Sequence, residues 1–283
     1  MMRSLFAAIS GLRAHQTMMD VTGNDISNVN TVGFKSSTVS FKDALSQLQS
    51  GASAPSTTLG GTNAQQIGLG VQTGAIANNM GAGAIQSTGK PFDLAIQGTG
   101  WFRVAPITAA GPPPTFGTVE YTRAGNFTTD ANGDLVTQDG LYVIGYDYGT
   151  TTQDKITIPT TAQSVSIGQD GVINYIDSTG ATVNLAQLTL AKFPNEAGLL
   201  RASGTKFLES SNSDNATNPI VVGTPGDTTK GLGTLAAGSL EMSNVDLAEE
   251  FTNMIEAERG FQANGRVITT ADQMLQDLVN LGR

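Results

Sequence analysis

LAEEFTNMIEAERGFQANGRVITTADQMLQDLV, Leu247–Val279, decides the fold of this chain. Leu247, Met254, Phe261, Ile268 and Leu275 recur as one unbroken apolar column at heptad spacing, and a second column interleaves at Phe251, Glu258, Gly265, Asp272 and Val279. The alternating steps of four and three are the seam of a helix that packs lengthwise against other helices. Glu258, Gly265 and Asp272 interrupt the second column, which makes a poor isolated zipper but a serviceable helix among several neighbours. Asp246, with Glu249 and Glu250 in the first turn, is a capping arrangement that satisfies free amides and the helix dipole. The spacing predicts a helix from about Asp246 to about Leu281.

The N-terminus carries the same pattern. Leu5, Leu12, Met19 and Ile26 form an apolar column, and the interleaved column starts apolar at Ile9 but becomes polar or small at Gln16 and Gly23. A helix of ~30 residues is roughly 45 Å long, and it cannot bury its own seam. Two readings follow: a helical hairpin inside one globular domain, or terminal helices that pair and press their remaining surface on other copies of the chain.

Composition narrows the classes. Of 283 residues, 39% are hydrophobic and only 14% charged, and 34 are glycine; an ordinary domain is about 25% charged. Low charge with abundant Gly, Thr, Asn and Gln fits a β-rich, oligomer-forming protein better than a disordered one. The net charge of −9 argues against nucleic acid as a partner. With no cysteine, neither a disulfide framework nor a thiolate metal site is open to the chain. Arg13 and His15 break the apolar start and no small-residue cleavage site follows, so a cleaved secretory signal is not expected. No apolar run reaches the ~20 residues that span a bilayer, and on these facts alone the chain reads as cytoplasmic.

The expected fold class is α+β. Segment 1–43 holds the first helix, to about residue 28, then an Asn-rich stop and the start of SFKDALSQLQ, Ser40–Gln49, a short helical or extended piece. Residues 44–89 carry no charge and are expected as an extended linker laid against neighbouring surfaces, with apolar points at Leu59, Ile67, Leu69, Val71, Ile76 and Ile85. Residues 90–239 form a central all-β domain, and 240–283 holds the second helix, packed with the first as a coiled-coil-like pair. Within the β region, PFDLAIQGTGWFRVA is expected to give an alternating strand, a turn and a second strand. Gly111-Pro112-Pro113-Pro114 is a loop. Asn132-Gly133, Asp139-Gly140 and Asp170-Gly171 are hairpin turns, and Ser178-Thr179-Gly180 opens a return strand. From Pro194 to Gly238 the pattern weakens into loops.

Chemistry is scarce. The single histidine, His15, lies off the seam and is expected to be solvated or an intersubunit contact, and no nucleophile elbow accompanies it. Gly68-Leu69-Gly70 with Gly74 matches a dinucleotide fingerprint only loosely. Asp130, Asn132 and Asp134 open like a calcium loop but meet Leu135 where Gly is needed and Leu141 where Glu is needed, so a hairpin turn is the better account. The triplets Asn126-Phe127-Thr128 and Asn215-Ala216-Thr217 are expected by chance in a chain rich in Asn and Thr. No catalytic, cofactor-binding or metal-binding residue is assigned, which points to a structural role.

Three stretches resemble a known family, the axial proteins of the bacterial flagellum, whose hook and rod members share both ends. They are SLFAAISGLRAHQTMMDVTGNDISNVNTVGFK; DLAIQG with GWF and YTRAGNF; and SNVDL running through MIEAERGFQAN to QML. Asn24, Asn28, Asn30, Gly33 and Phe34 carry the signature, and Asp25 departs from the family's usual second Asn. SFKDALSQ, GGTNAQQIGLG and EMSNVDLAEEFTNMI resemble short hook members more than the distal rod, which stands as the alternative. The resemblance implies a subunit exported unfolded through the flagellar type III apparatus without a cleaved signal. It implies polymerisation into a curved helical tube, a universal joint enclosing the export channel. Its partners would be copies of itself, the rod, the hook cap and the hook–filament junction proteins, with no membrane insertion. The assembly seams are then Leu5, Ile9, Leu12, Met19 and Ile26 on the first helix, and Leu247, Phe251, Met254, Phe261, Ile268, Leu275 and Val279 on the second. Both ends are expected to be disordered in the monomer and to fold on assembly, with Ala44–Gly89 as the compliant element. The rival from another class is a β binding module on an oligomerising stalk; an enzyme ranks behind it.

Overall fold

The computed structural model describes residues 2–282 except 56–59, 110, 112–113, 151 and 215–217. Leu59, Pro112, Pro113 and the Asn215 triplet therefore lie outside the described residues. The chain forms two compact units, one of residues 1–27, 37–79 and 246–283, the other of residues 28–36 and 80–245. The expected boundaries near 43 and 89 thus fall at other places, because strand pairing carries most of the uncharged stretch into the unit of the helices.

In the first unit, helix α1 (Met2–Ser27) packs antiparallel on helix α2 (Leu247–Leu281). Gly11 lies against Asn264, Gly260 against the His15 ring, and Gly23 toward Met254. Asp246 caps α2 as expected, its side chain accepting from the amides of Ala248 at 2.8 Å and Glu249 at 3.4 Å. Residues 37–53 and 62–78 run antiparallel as two arms of a long ribbon whose base packs on α1. Strand β1 (Ser37–Asp43) and strand β2 (Ser46–Ser50) run out; strand β3 (Gln65–Gly68) and strand β4 (Val71–Asn78) return. β1 pairs with β4 from Ser37–Asn78 to Asp43–Val71, and β2 pairs with β3 from Ser46–Gly68 to Ser50–Gln65. The junction between the two ladders is bonded too, Ala44 N–H to the Gly70 carbonyl and Leu69 N–H to the Leu45 carbonyl, and a Ser53–Thr62 bridge continues toward the tip. SFKDALSQLQ is strand throughout its paired length, and the uncharged stretch, expected as an extended linker, is held in a ladder over residues 44–50 and 65–78.

The second unit is antiparallel β. After strand β5 (Ile85–Ser87) come strand β6 (Leu94–Gln97) and strand β7 (Trp101–Ala105), which do not pair with each other. β5 pairs with Ser239–Glu241 and β6 with Thr234–Ala237, while β7 runs between Tyr142–Asp147 and Glu120–Thr122 in the main sheet. Both strands are buried on both faces instead of alternating, because Leu94, Ile96, Phe102 and Val104 fill one core and Trp101 a second, with Tyr121, Phe193 and Phe207. The hairpin turns expected at Gly133, Gly140, Gly171 and Gly180 all have left-handed glycines. Between Pro194 and Gly238 the structure places short strands where loops were expected, Lys206–Leu208 and Val221–Gly223 among them. Three residues are too few to leave a periodic signal.

Gly33 has φ +68°, and a Cβ on it would collide with the Ala124 amide nitrogen. Gly140 has φ +80° with open space around it. Left-handed strain alone costs an alanine about 1–2 kcal/mol, so Gly140→Ala is expected to destabilise the β unit by about that amount. Gly33→Ala should cost clearly more, because backbone must also move. Denaturant unfolding of both variants checks this, and equal losses would show the close approach to be unimportant.

Candidate assembly interface

The helix pair is built on small side chains. The buried positions of α2 are Glu250, Ala257 and Ala271, with Asn264 half-buried between them, and those of α1 are Ala8, Gly11, Ala14, Thr22 and Asp25. The second α2 column in contact with α1 is therefore 250, 257, 264 and 271, one residue away from the column read at 251, 258, 265, 272 and 279. Small residues bring the helix backbones close, whereas hydrophobicity alone picks out the bulky side chains. Of the seam residues named from sequence, Leu5, Leu12, Met19, Ile26, Met254, Ile268 and Leu275 are half-buried at the margins of the pair. Ile9, Leu247, Phe251, Phe261 and Val279 are exposed, Phe251 at 51% and Val279 at 69%.

Exposed beside them are residues the heptad reading missed: Phe6 at 63%, Ile255 at 54%, Leu278 and Leu281. Their signal was available as apolar residues just off the strict column. His15 is half-buried; its ring stands edge-on to Phe41 of β1, 5.9 Å between centroids, and against Gly260.

The signature residues divide between the units. Asn24 lies in the last turns of α1, as does Asp25, whose carboxylate accepts from the Ser37 amide at 2.8 Å. Asn28 takes the Thr31 amide on its carbonyl at 3.0 Å and the Thr31 hydroxyl on its side chain at 3.1 Å. Asn30 is exposed, and Gly33 and Phe34 are buried. Phe34 lies under the Arg201 guanidinium, 4.9 Å from the ring centroid.

A buried charge cluster follows the signature, and sequence reasoning overlooked it because its members are far apart in the chain. Lys35 Nζ lies 2.6 Å from Glu241 Oε1, and Arg123 Nη1 lies 3.2 Å from Oε2. All three side chains are buried, and Arg123 also stacks on Trp101 at 5.3 Å. Burial holds the Lys35 ammonium below the usual lysine range, against the pull of Glu241. Asp130 needs no ion: its Oδ1 accepts from the amides of Asn132 and Asp134, both at 2.8 Å, which closes the expected turn. Among the described residues no group of three or more His, Asp or Glu could hold a metal ion. No helix among them is long and apolar enough to cross a membrane.

Terminal helices joined in one unit, exposed apolar rows along both, and a separate β unit are the build of a structural subunit. Residues 5–35 match the family described as flagella basal body rod protein, residues 95–175 the flagellar hook protein FlgE/F/G D1 domain, and residues 236–281 the flagellar basal body rod FlgEFG protein C-terminal region. The chain is 49% identical to the flagellar basal-body rod protein FlgG of Bacillus subtilis over 283 residues, all of both chains. It is 37% identical to the FlgG of Caulobacter vibrioides over 97% of each. It is 29% identical to the flagellar hook protein FlgE of Borreliella burgdorferi, over 99% of this chain and 100% of that one, in an alignment of 455 residues. The chain belongs to the flagellar hook and rod family of axial proteins.

Inside the helix contact, burial raises the Glu250 carboxyl above its ordinary range. Asp25 across the contact and Glu249 beside it push the same way, against hydrogen bonds with Asn253 and Thr22. The closed pair therefore binds that proton more tightly than separated helices do. This stabilisation is fully present below the ordinary carboxylate pKa of about 4.3 and is lost as pH rises through the raised value. The helical transition of the full chain, followed by circular dichroism, is expected to melt at higher temperature near pH 5 than near pH 7. Glu250→Gln should reduce that difference, and an unaltered pH dependence in the variant counts against the assignment.

Proposed function

We propose that this chain is a subunit of the distal rod, the drive shaft of the flagellar basal body, in place of the hook assignment favoured from sequence. The observation that carries the reading is end-to-end similarity, 49% over the whole of both chains, to a rod protein. The hook relative is less similar and aligns only across 455 residues, far more than this chain has. The hairpin supports the same reading. A hook needs a compliant element, and the stretch nominated for that role is tied by a hydrogen-bonded ladder from Ser37–Asn78 to Ser50–Gln65. Shearing a ladder breaks bonds, whereas a free linker slides.

In this reading the chain is not an enzyme. The helix pair forms the inner tube around the export channel, and Leu247, Phe251, Phe261, Val279, Ile9 and their exposed neighbours press on adjacent copies. The subunit travels unfolded through the type III export apparatus without a cleaved signal, and its partners are itself and the adjoining rod and hook proteins. The cap and hook–filament junction contacts belonged to the hook reading.

Electron microscopy of the full-length protein over a range of concentrations tests this, beside a version lacking residues 1–27 and 246–283. Straight tubes from the full chain and none from the truncation are the expected result. Curved tubes would return the chain to the hook, and a small closed oligomer that refuses to grow would favour the stalked binding module.

A further inference from the structure

The chain passes between its two units at residues 27/28, 36/37, 79/80 and 245/246. The segments that lead to these crossings meet, inside the β unit, on the single side chain of Glu241. Its Oε1 accepts from Lys35 Nζ at 2.6 Å and from the Gly83 amide at 3.0 Å, and its Oε2 accepts from Arg123 Nη1 at 3.2 Å. Lys35 comes from segment 28–36, Gly83 from the chain just past the hairpin, and Glu241 itself from the strand that leads to α2.

Secondary contacts close the same triangle. Lys35 Nζ also donates to the Gly81 carbonyl at 2.8 Å, and the Gly33 amide donates to the Glu241 carbonyl at 2.8 Å. Asn244 accepts from the Ser36 amide at 2.8 Å and donates to the Gly81 carbonyl at 3.2 Å. Arg123 ties the carboxylate to the body of the domain, its Nη2 donating to the Gly98 carbonyl at 3.1 Å.

We infer that Glu241 is a junction clamp: one buried carboxylate that holds the three crossing segments to the β unit, so that they are held or released together. Two cations around one anion in a dry site add little net stability, because desolvation offsets attraction. Removing the anion, however, leaves both cations buried without compensation, and each lies on a different segment. A glutamine in its place would keep the shape yet lose the charge and one acceptor oxygen. The clamp makes Glu241 a positioning residue for the segments that lead into both terminal helices and into the hairpin.

Hydrogen exchange with mass spectrometry on the full chain reads this directly. Glu241→Gln is expected to speed exchange at least about tenfold in 31–36, 80–87 and 239–245 together, with β7 and Tyr142–Asp147 unchanged. Acceleration confined to 239–245, or none, overturns the inference. Should Glu241→Gln disturb the core strands as well, Lys35→Met decides, since Arg123 still neutralises the carboxylate there: coupled release of 80–87 and 239–245 supports the clamp, and release of 31–36 alone refutes it. The double variant should exchange no faster than Glu241→Gln, because the two residues act as one unit; multiplied effects would mean independent contacts.

Discussion

Close approach between α1 and α2 is the constraint from which the rest of the helical unit follows. Gly11, Gly260, Ala257 and Ala271 leave room for the two backbones to come together, and a bulky side chain in that contact would hold them apart. The large apolar residues are consequently turned to the margins or outward, as Phe251, Ile255 and Leu278 are. A pair that satisfies itself with small residues leaves its bulky ones at the surface. That is the arrangement a polymer subunit needs, and it explains why seams so long occur in a chain that folds no third helix of comparable length among its described residues.

The β unit solves a different problem, which is to receive the chain several times and return it each time. Left-handed glycines at the hairpin tips let short strands reverse without strain. Strands β5 and β6 pair with the two strands that precede α2, so the entry and the exit of the domain are neighbours. The charged cluster sits where they meet segment 28–36. A buried ion triad is weak glue but a demanding fit, and demanding fits are what keep several non-contiguous segments in one register.

The uncharged stretch shows how composition misleads about mechanics. Residues 44–89 have the chemistry of a soft linker, and softness pointed to a bending element. Backbone hydrogen bonds carry no compositional signature, so a ribbon of Gly, Ala, Ser, Thr and Gln becomes a ladder once the opposite strand is in register. Stiffness there comes from pairing and not from side chains, which moves the functional reading from joint to shaft.

By itself the sequence determined the α+β class, both terminal helices almost to the residue, the Asp246 cap, the glycine turns and the family. Each of these is local: a period, a cap or a turn lies within a few neighbouring residues and can be read from them. Tertiary structure decided which helix faces meet, that Leu94–Gln97 and Trp101–Ala105 take different partners, and that Lys35, Arg123 and Glu241 form one cluster. Those facts depend on which distant segments come together, through small residues that hydrophobicity ignores and charges separated by up to 206 positions. Only the folded chain brings such residues within the few ångströms at which packing and ion pairing act.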